Sequence, residues 1–244
     1  MIPSFRHMGG KARLRKWLIS HFPAQADMYL EPFCGKGNVY YAACDSLFCF
    51  NWILADIDGS FLTALQTANL NELPETVEKA DFSFWRNSSS PIATLIEPRI
   101  TFAGKGYRYG FSGSSGTHVG YNGALYKKVC EQARTLLKNA LIITGDWETT
   151  IQYAQNEAFV YLDPPYYATD ACYPNIDHST LIDCLNAASF KWALSGYDNE
   201  LYRSKLKFKT CHKYERNSEI KSSNTGMRTP VIECLWTNYS IEEE

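Results

Sequence analysis

The run Ala158-Phe159-Val160-Tyr161-Leu162 is apolar throughout and meets Asp163-Pro164-Pro165-Tyr166 directly. Five apolar residues ended by two prolines read as a short buried strand, because proline removes the backbone donor a strand needs to continue. In an open α/β sheet the C-terminal edge of such a strand is where ligands bind. The four residues there make a small rigid pocket. An amino group on a planar ring would donate to the Asp163 carboxylate and to the Pro164 carbonyl. Pro164 and Pro165 fix the direction of that carbonyl, and Tyr166 offers a face for stacking.

The rest of the chain supplies the sheet. Residues 11–22 place Leu14, Trp17, Leu18 and Phe22 at helical spacing. A strand follows over 28–33, then the glycine turn Cys34-Gly35-Lys36-Gly37-Asn38 and a helix over 39–46. A second strand, 52–55, ends at Asp56, and a helix is expected over 60–70. Strand, glycine turn, helix, strand and acid form a βαβ unit of the nucleotide-binding kind. Alternation resumes with a strand at 141–144, a helix at 148–155, the strand before the prolines, a helix at 178–188 and a strand at 191–195. Residues 208–214 and 230–238 are expected to pair as a hairpin. Between lies a stretch, 71–139, without this pattern. It holds the turn Ser88-Ser89-Ser90-Pro91, a Gly-, Ser- and Tyr-rich segment at 104–123 read as a ribbon-like loop, and a helix over 124–138. The expected organisation is a sheet domain from 1–70 and 140–244 interrupted by an inserted subdomain at 71–139.

With 244 residues the chain can bury a full core. No apolar run is long enough to cross a bilayer, and residues 1–10 lack a signal-peptide core, so the cytoplasm is the expected location. The eight cysteines, at 34, 44, 49, 130, 172, 184, 211 and 234, contain no CxxC pair, and the five histidines are dispersed. Neither pattern suggests a metal site. The net charge of −2 is unevenly spread. Residues 1–26 carry no acid and hold Arg6, Lys11, Arg13, Arg15 and Lys16. Residues 98–130 carry none either and hold Arg99, Lys105, Arg108, Lys127 and Lys128. A third basic stretch runs from Arg203 to Lys213. Segregation of this kind presents a positive face on a nearly neutral protein.

The glycine turn lacks the third glycine of a dinucleotide fingerprint and the Lys-Ser/Thr of a triphosphate loop. Its two glycines still admit a ligand close to the backbone at a helix N-terminus, where an amino-acid carboxylate would suit. Asp56 is placed to accept from ribose hydroxyls. A nucleoside with an amino-acid tail beside a pocket for a planar amine describes S-adenosylmethionine (SAM) as cofactor.

These segments resemble the Dam-like family of DNA adenine N6-methyltransferases, in phage and prophage form. His7-Met8-Gly9-Gly10-Lys11 is similar to the family's opening aromatic-x-GGK segment. Glu31-Pro32-Phe33-Cys34-Gly35-Lys36-Gly37 resembles its EPFxGxG motif, and Leu54-Ala55-Asp56-Ile57-Asp58 its segment with the ribose acid. Asp163-Pro164-Pro165-Tyr166 is the DPPY motif unchanged. Leu194-Ser195-Gly196-Tyr197 and Leu235-Trp236-Thr237-Asn238-Tyr239 look like further segments of such enzymes. Two departures stand out. His7 and Met8 replace the usual aromatic, and Lys36 stands where many members carry a small residue; a solvent-facing lysine there would leave the turn's role untouched.

The resemblance implies a Rossmann-like SAM-dependent methyltransferase sheet with an inserted target-recognition subdomain. It implies Met8, Lys11, Phe33, Gly35, Gly37, Asp56 and Asp163 at the cofactor, with Trp147 flanking its adenine. Asp163, Pro164, Pro165 and Tyr166 would act on the base. Arg99, Lys105, Arg108, His118 and Lys127 would contact double-stranded DNA. The enzyme would act as a monomer without metal or membrane. Hydrogen bonds to Asp163 and Pro164 would favour a tetrahedral adenine N6, whose freed lone pair attacks the sulfonium methyl as the carbon–sulfur bond breaks, and the product cation then loses a proton. A duplex base reaches such a pocket only by flipping out, at a cost of a few kcal/mol. An RNA adenine methyltransferase or an inactive SAM-binding module remains open at this stage. Cytosine N4 and glutamine N5 enzymes usually present Ser or Asn where Asp163 stands, and the missing third glycine disfavours an oxidoreductase.

Overall fold

The computed structural model describes residues 2–7, 9–104, 106–112, 121–169, 175–221 and 228–241. In chain order the elements are α1 (Arg15–Ile19), β1 (Gln25–Glu31), α2 (Asn38–Ala43), β2 (Phe48–Asp56), α3 (Ser60–Thr67), α4 (Phe82–Asn87), α5 (Pro91–Ile100) and α6 (Gly123–Leu137). Then follow β3 (Ala140–Thr144), α7 (Trp147–Thr150), β4 (Ala158–Leu162), α8 (His178–Ala187), β5 (Lys191–Tyr197), α9 (Glu200–Lys205), β6 (Thr210–Lys221) and β7 (Arg228–Thr237).

The seven strands form one sheet in the order β3-β2-β1-β4-β5-β7-β6. The first five are parallel, and β7 runs antiparallel between β5 and β6. This is a mixed α/β, Rossmann-like sheet, as the sequence led us to expect. Its order reverses between β1 and β4, which pair directly through Met28↔Ala158, Tyr29↔Phe159 and Leu30↔Val160. Every residue of β4 is buried.

Period-two alternation divides the core between the faces of the sheet. Phe159 and Tyr161 of β4 point to one face, with Tyr29 of β1, Leu54 of β2, and residues of α2, α3, α5 and α6. Val160 and Leu162 point to the other, with Leu30, Ile53, Trp192, Leu194 and Trp236, covered by Leu181, Ile182 and Leu185 of α8 and Tyr202 of α9.

The helices α4 and α5 lie where the sequence showed no regular pattern, and α9 lies in a stretch read only for its charge. In α5 two prolines hide the period. Pro91 sits in its first turn behind the Ser90 cap, whose hydroxyl accepts from Ala93 N at 3.2 Å. Pro98 falls near the C-terminal end of the helix, where it removes one N–H donor from the last turn. Ile92, Leu95, Ile96 and Ile100 of α5 and Tyr126, Cys130, Ala133 and Leu137 of α6 belong to the same buried cluster as Tyr29 and Leu54. These two helices therefore pack into the sheet's own core. Thr101 and Phe111 form an antiparallel bridge, with Phe102 N→Gly110 O at 3.0 Å and Ser112 N→Ile100 O at 2.7 Å beside it. The expected hairpin exists and is longer than its sequence pattern. Among the described residues no helix is long and apolar enough to cross a membrane.

The guanidinium of Arg134, in α6, donates to the Leu65 carbonyl at 2.7 Å and the Ala68 carbonyl at 2.6 Å. It caps the C-terminal end of α3, where carbonyls lack helical partners. Arg134→Ala should lower unfolding free energy by about 1–3 kcal/mol, measured in urea, with secondary structure unchanged at low denaturant.

Candidate active site

Asp163 lies just past the end of β4, with its side chain 16 % exposed. The ammonium of Lys11 straddles its carboxylate, 2.7 Å from Oδ2 and 2.6 Å from Oδ1. Only the contact to Oδ2 has hydrogen-bond geometry; Oδ1 is buried and accepts no hydrogen bond. Lys11 also donates to the Gly9 carbonyl at 2.9 Å and lies 4.7 Å from the centre of the Tyr166 ring. Burial pushes the Asp163 carboxyl above its usual range, and Lys11 pulls it back part of the way.

Local chain chemistry brings Lys11 there. The backbone of Phe5 is locked to the start of α2, with Phe5 N→Asn38 Oδ1 at 2.9 Å and Asn38 Nδ2→Phe5 O at 2.8 Å. Gly9 then takes a left-handed conformation, φ 72°, and Gly10 N closes back on the His7 carbonyl at 3.1 Å. His7 lies over Gly35, whose φ is 51°. A Cβ on that glycine would come within 3.1 Å of the imidazole. Burial, with Lys36 and Lys11 adding to it, lowers the His7 pKa to about 3. The ring is a neutral spacer at working pH. Lys36 does not reach solvent. It is 8 % exposed and lies 5.0 Å from the centre of the Phe61 ring, and burial brings its pKa to about 8.

The glycine turn and the second acid are joined. Asp56 Oδ2 accepts from Gly35 N at 2.7 Å, and Oδ1 accepts from Asp58 N at 3.0 Å. Gly37, φ 75°, opens α2, and its missing side chain leaves room for the Tyr41 ring. Phe33, after β1, and Trp147, after β3, stack with centroids 6.3 Å apart and planes at 28°. The structure thus gathers Lys11, Phe33, Gly35, Gly37, Asp56, Trp147, Asp163, Pro164, Pro165 and Tyr166 along one edge of the sheet. Met8, Lys105 and His118 lie outside the described residues.

The basic residues of the insert are spread out. The Arg99 guanidinium lies 5.3 Å from the centre of the Tyr126 ring. Lys127 donates to Asn71 Oδ1 at 2.6 Å and approaches Glu131 at 4.0 Å. Arg108 is exposed. Of the third basic stretch, Arg203 and Lys213 both pair with Asp198. Among the described residues no group of three or more His, Cys, Asp or Glu could hold a metal ion.

The pocket also contains residues that sequence reasoning missed. The Tyr166 hydroxyl donates to Glu233 Oε2 at 2.7 Å, and Arg216 Nε donates to Glu233 Oε1 at 3.0 Å. Tyr197 meets the Tyr166 ring edge-on at 4.7 Å. One signal for Glu233 was present: it is a lone acid within Val231-Ile232-Glu233-Cys234-Leu235-Trp236. Glu31, 2 % exposed, accepts from the Tyr29 hydroxyl at 2.8 Å. Burial pushes its carboxyl well up, and Asp163 and Asp56 push it further.

Compared with known proteins, the chain matches no family model. It is 25 % identical over 201 residues to the type II methyltransferase M.MjaIII of Methanocaldococcus jannaschii, covering 67 % of this chain and 68 % of that protein. The likeness is to methyltransferases. Solved structures that it resembles include an rRNA methylase from Streptococcus thermophilus, with a TM-score of 0.40, 12 % identity, and coverage of 98 % of this chain and 99 % of that one. Another is human methyltransferase 10 domain containing protein, with a TM-score of 0.39, 11 % identity, and coverage of 98 % and 86 %.

The raised Glu31 carboxyl has a measurable consequence. Between the ordinary glutamate range and its raised value, the folded state holds a proton that the unfolded state has released. Stability therefore falls as pH rises through that window. Glu31→Gln should remove this component. Thermal unfolding measured from acid to neutral pH should show the variant gaining on the wild type as pH rises.

Proposed function

We propose that the chain is a SAM-dependent methyltransferase acting on the N6 amino group of adenine in DNA, with the base flipped into the pocket from Asp163 to Tyr166. The observation that carries this reading is the pairing of β1 with β4 at the reversal of strand order. It puts the glycine turn and Asp163 on either side of the crevice where open α/β sheets bind ligands. The likeness to a type II methyltransferase supports the same reading.

The residues fit the cofactor. Glu31, Asp56 and Asp163 are each pushed up by burial, and Asp163 and Asp56 both act on Glu31. Such a cluster favours a cationic ligand. In this reading Asp56 takes the ribose hydroxyls with the lone pairs that Gly35 and Asp58 leave free. Gly35 and Gly37 admit the amino-acid tail, and Phe33 and Trp147 flank the adenine. When bound, SAM supplies an electrophilic methyl group on sulfur.

The protein's part is positioning and electrostatics. The Lys11 ammonium sits against Asp163 and over the Tyr166 ring, a nitrogen donor against an acid beside an aromatic face, and this supports the reading. An adenine amino group would take that place, donating to Asp163 and the Pro164 carbonyl while Lys11 moves aside. Pro165 keeps the segment rigid, and Tyr166 stacks on the base. Residues 71–139 act as the target-recognition subdomain. Arg99, Lys105, Arg108, His118 and Lys127 are its proposed DNA contacts, with exposed Arg108 the foremost of the described ones. The protein works as a monomer in the cytoplasm.

Mass spectrometry of nucleosides from duplex DNA, single-stranded DNA and RNA, each incubated with protein and isotope-labelled SAM, tests this. Labelled N6-methyladenine should appear in duplex DNA. Its appearance in RNA alone would replace the substrate, and no labelled product would defeat the reading. Asp163→Ala should reduce transfer by at least about 10²-fold with the fold retained.

The cofactor assignment has its own measurement. Asp56→Ala removes a charged acceptor, so SAM affinity in calorimetry should fall by about 1.5–3 kcal/mol. Unchanged affinity would take Asp56 out of the ribose role.

A further inference from the structure

Pro164 and Pro165 carry no backbone N–H, so the segment leading to Tyr166 has few backbone donors to anchor it. The orientation of the Tyr166 ring therefore depends on its side-chain contacts. The polar one comes from the other end of the chain. Glu233 is the first residue of β7 in register with β5, where it stands opposite Tyr197. On its other side it stands opposite Tyr214 of β6. Arg216, two residues beyond Tyr214, is its diagonal neighbour on the same face of the hairpin. Glu233 is 3 % exposed and Arg216 23 %. One oxygen of the carboxylate receives Arg216 and the other receives the Tyr166 hydroxyl.

We propose that Glu233 and Arg216 are positioning residues for Tyr166. Arg216 offsets the cost of burying the carboxylate. Glu233 in turn fixes the phenol, and with it the angle of the ring that Lys11 covers and Tyr197 braces. An incoming ring then meets a preset aromatic face, one ring away from Asp163. Neither residue touches the reacting atoms; both act through Tyr166. The kinetic consequence rests on the methyl-transfer reading above, while the placement of the ring does not.

The test combines NMR of protein labelled with ¹³C in its tyrosine rings and steady-state methyl transfer to duplex DNA. The Tyr166 signal is assigned by its loss in Tyr166→Phe. Glu233→Ala should shift and broaden that signal, and Glu233→Gln, which keeps an acceptor, should largely restore it. Glu233→Ala should lower kcat by about ten- to a hundredfold with the KM for SAM unchanged. In the Tyr166→Phe background the same substitution should cost less than about twofold, because the two residues act as one unit. Arg216→Met should give a weaker form of both effects. A Tyr166 signal unmoved in every Glu233 and Arg216 variant overturns the proposal. So does an equal loss of kcat with and without the Tyr166 hydroxyl. If Glu233→Ala does not fold, Glu233→Gln and Arg216→Met carry the NMR comparison. If the wild type transfers no methyl group to DNA, the catalytic reading fails, and the NMR result alone decides whether the hairpin sets the ring.

Discussion

A carboxylate taken nearly out of water governs the arrangement of this protein. Asp163 is pushed up by burial, and the ammonium resting on both its oxygens comes from 152 residues earlier in the chain. Attraction in a buried pair of this kind roughly balances the cost of desolvating the two ions. Its main effect is on geometry. To reach Asp163, Lys11 needs the segment before it clamped to Asn38, a left-handed turn at Gly9, and His7 seated over a glycine. Each of these requirements selects a residue type.

The same burial extends to the neighbouring strands. Strands β1, β2 and β4 end at one edge and deliver Glu31, Asp56 and Asp163 to it. Burial raises the proton affinity of all three, and Asp163 and Asp56 raise that of Glu31 further. Backbone donors from Gly35 and Asp58 serve Asp56, the Tyr29 hydroxyl serves Glu31, and Lys11 serves Asp163. The edge gathers three acids around the Lys11 ammonium, a setting in which a positively charged small molecule would find acceptors.

The frame around Asp163 is built from the two ends of the chain. Helix α1 follows Lys11 and lies on the hairpin. Trp17 meets Tyr214 at 5.4 Å between centroids, and His21 meets His212 at 4.1 Å. The Tyr239 hydroxyl donates to the His21 carbonyl at 2.8 Å. Burial and the adjacent His21 both lower the His212 pKa. Lys11 and Glu233 are thereby held on either side of Tyr166.

By itself the sequence determined the sheet and the edge where the candidate site lies. The apolar run ending in two prolines located β4, and the glycine turn and Asp56 located the first βαβ unit, because these elements are set by contacts within a few residues. Sequence also presented a hairpin at the C-terminus and a helix at the end of the insert. Tertiary structure alone decided the rest. It revealed α4, and α5 with the two prolines that mask its helical period, and it turned Lys36 inward onto Phe61. It also held Arg99 and Lys127 against the protein's own side chains. Most of all, it joined Glu233 and Arg216 to Tyr166. No local rule links a lone acid in an apolar strand to a tyrosine 67 residues before it. That link exists because β7 inserts antiparallel beside β5, so partners distant in sequence become neighbours in register.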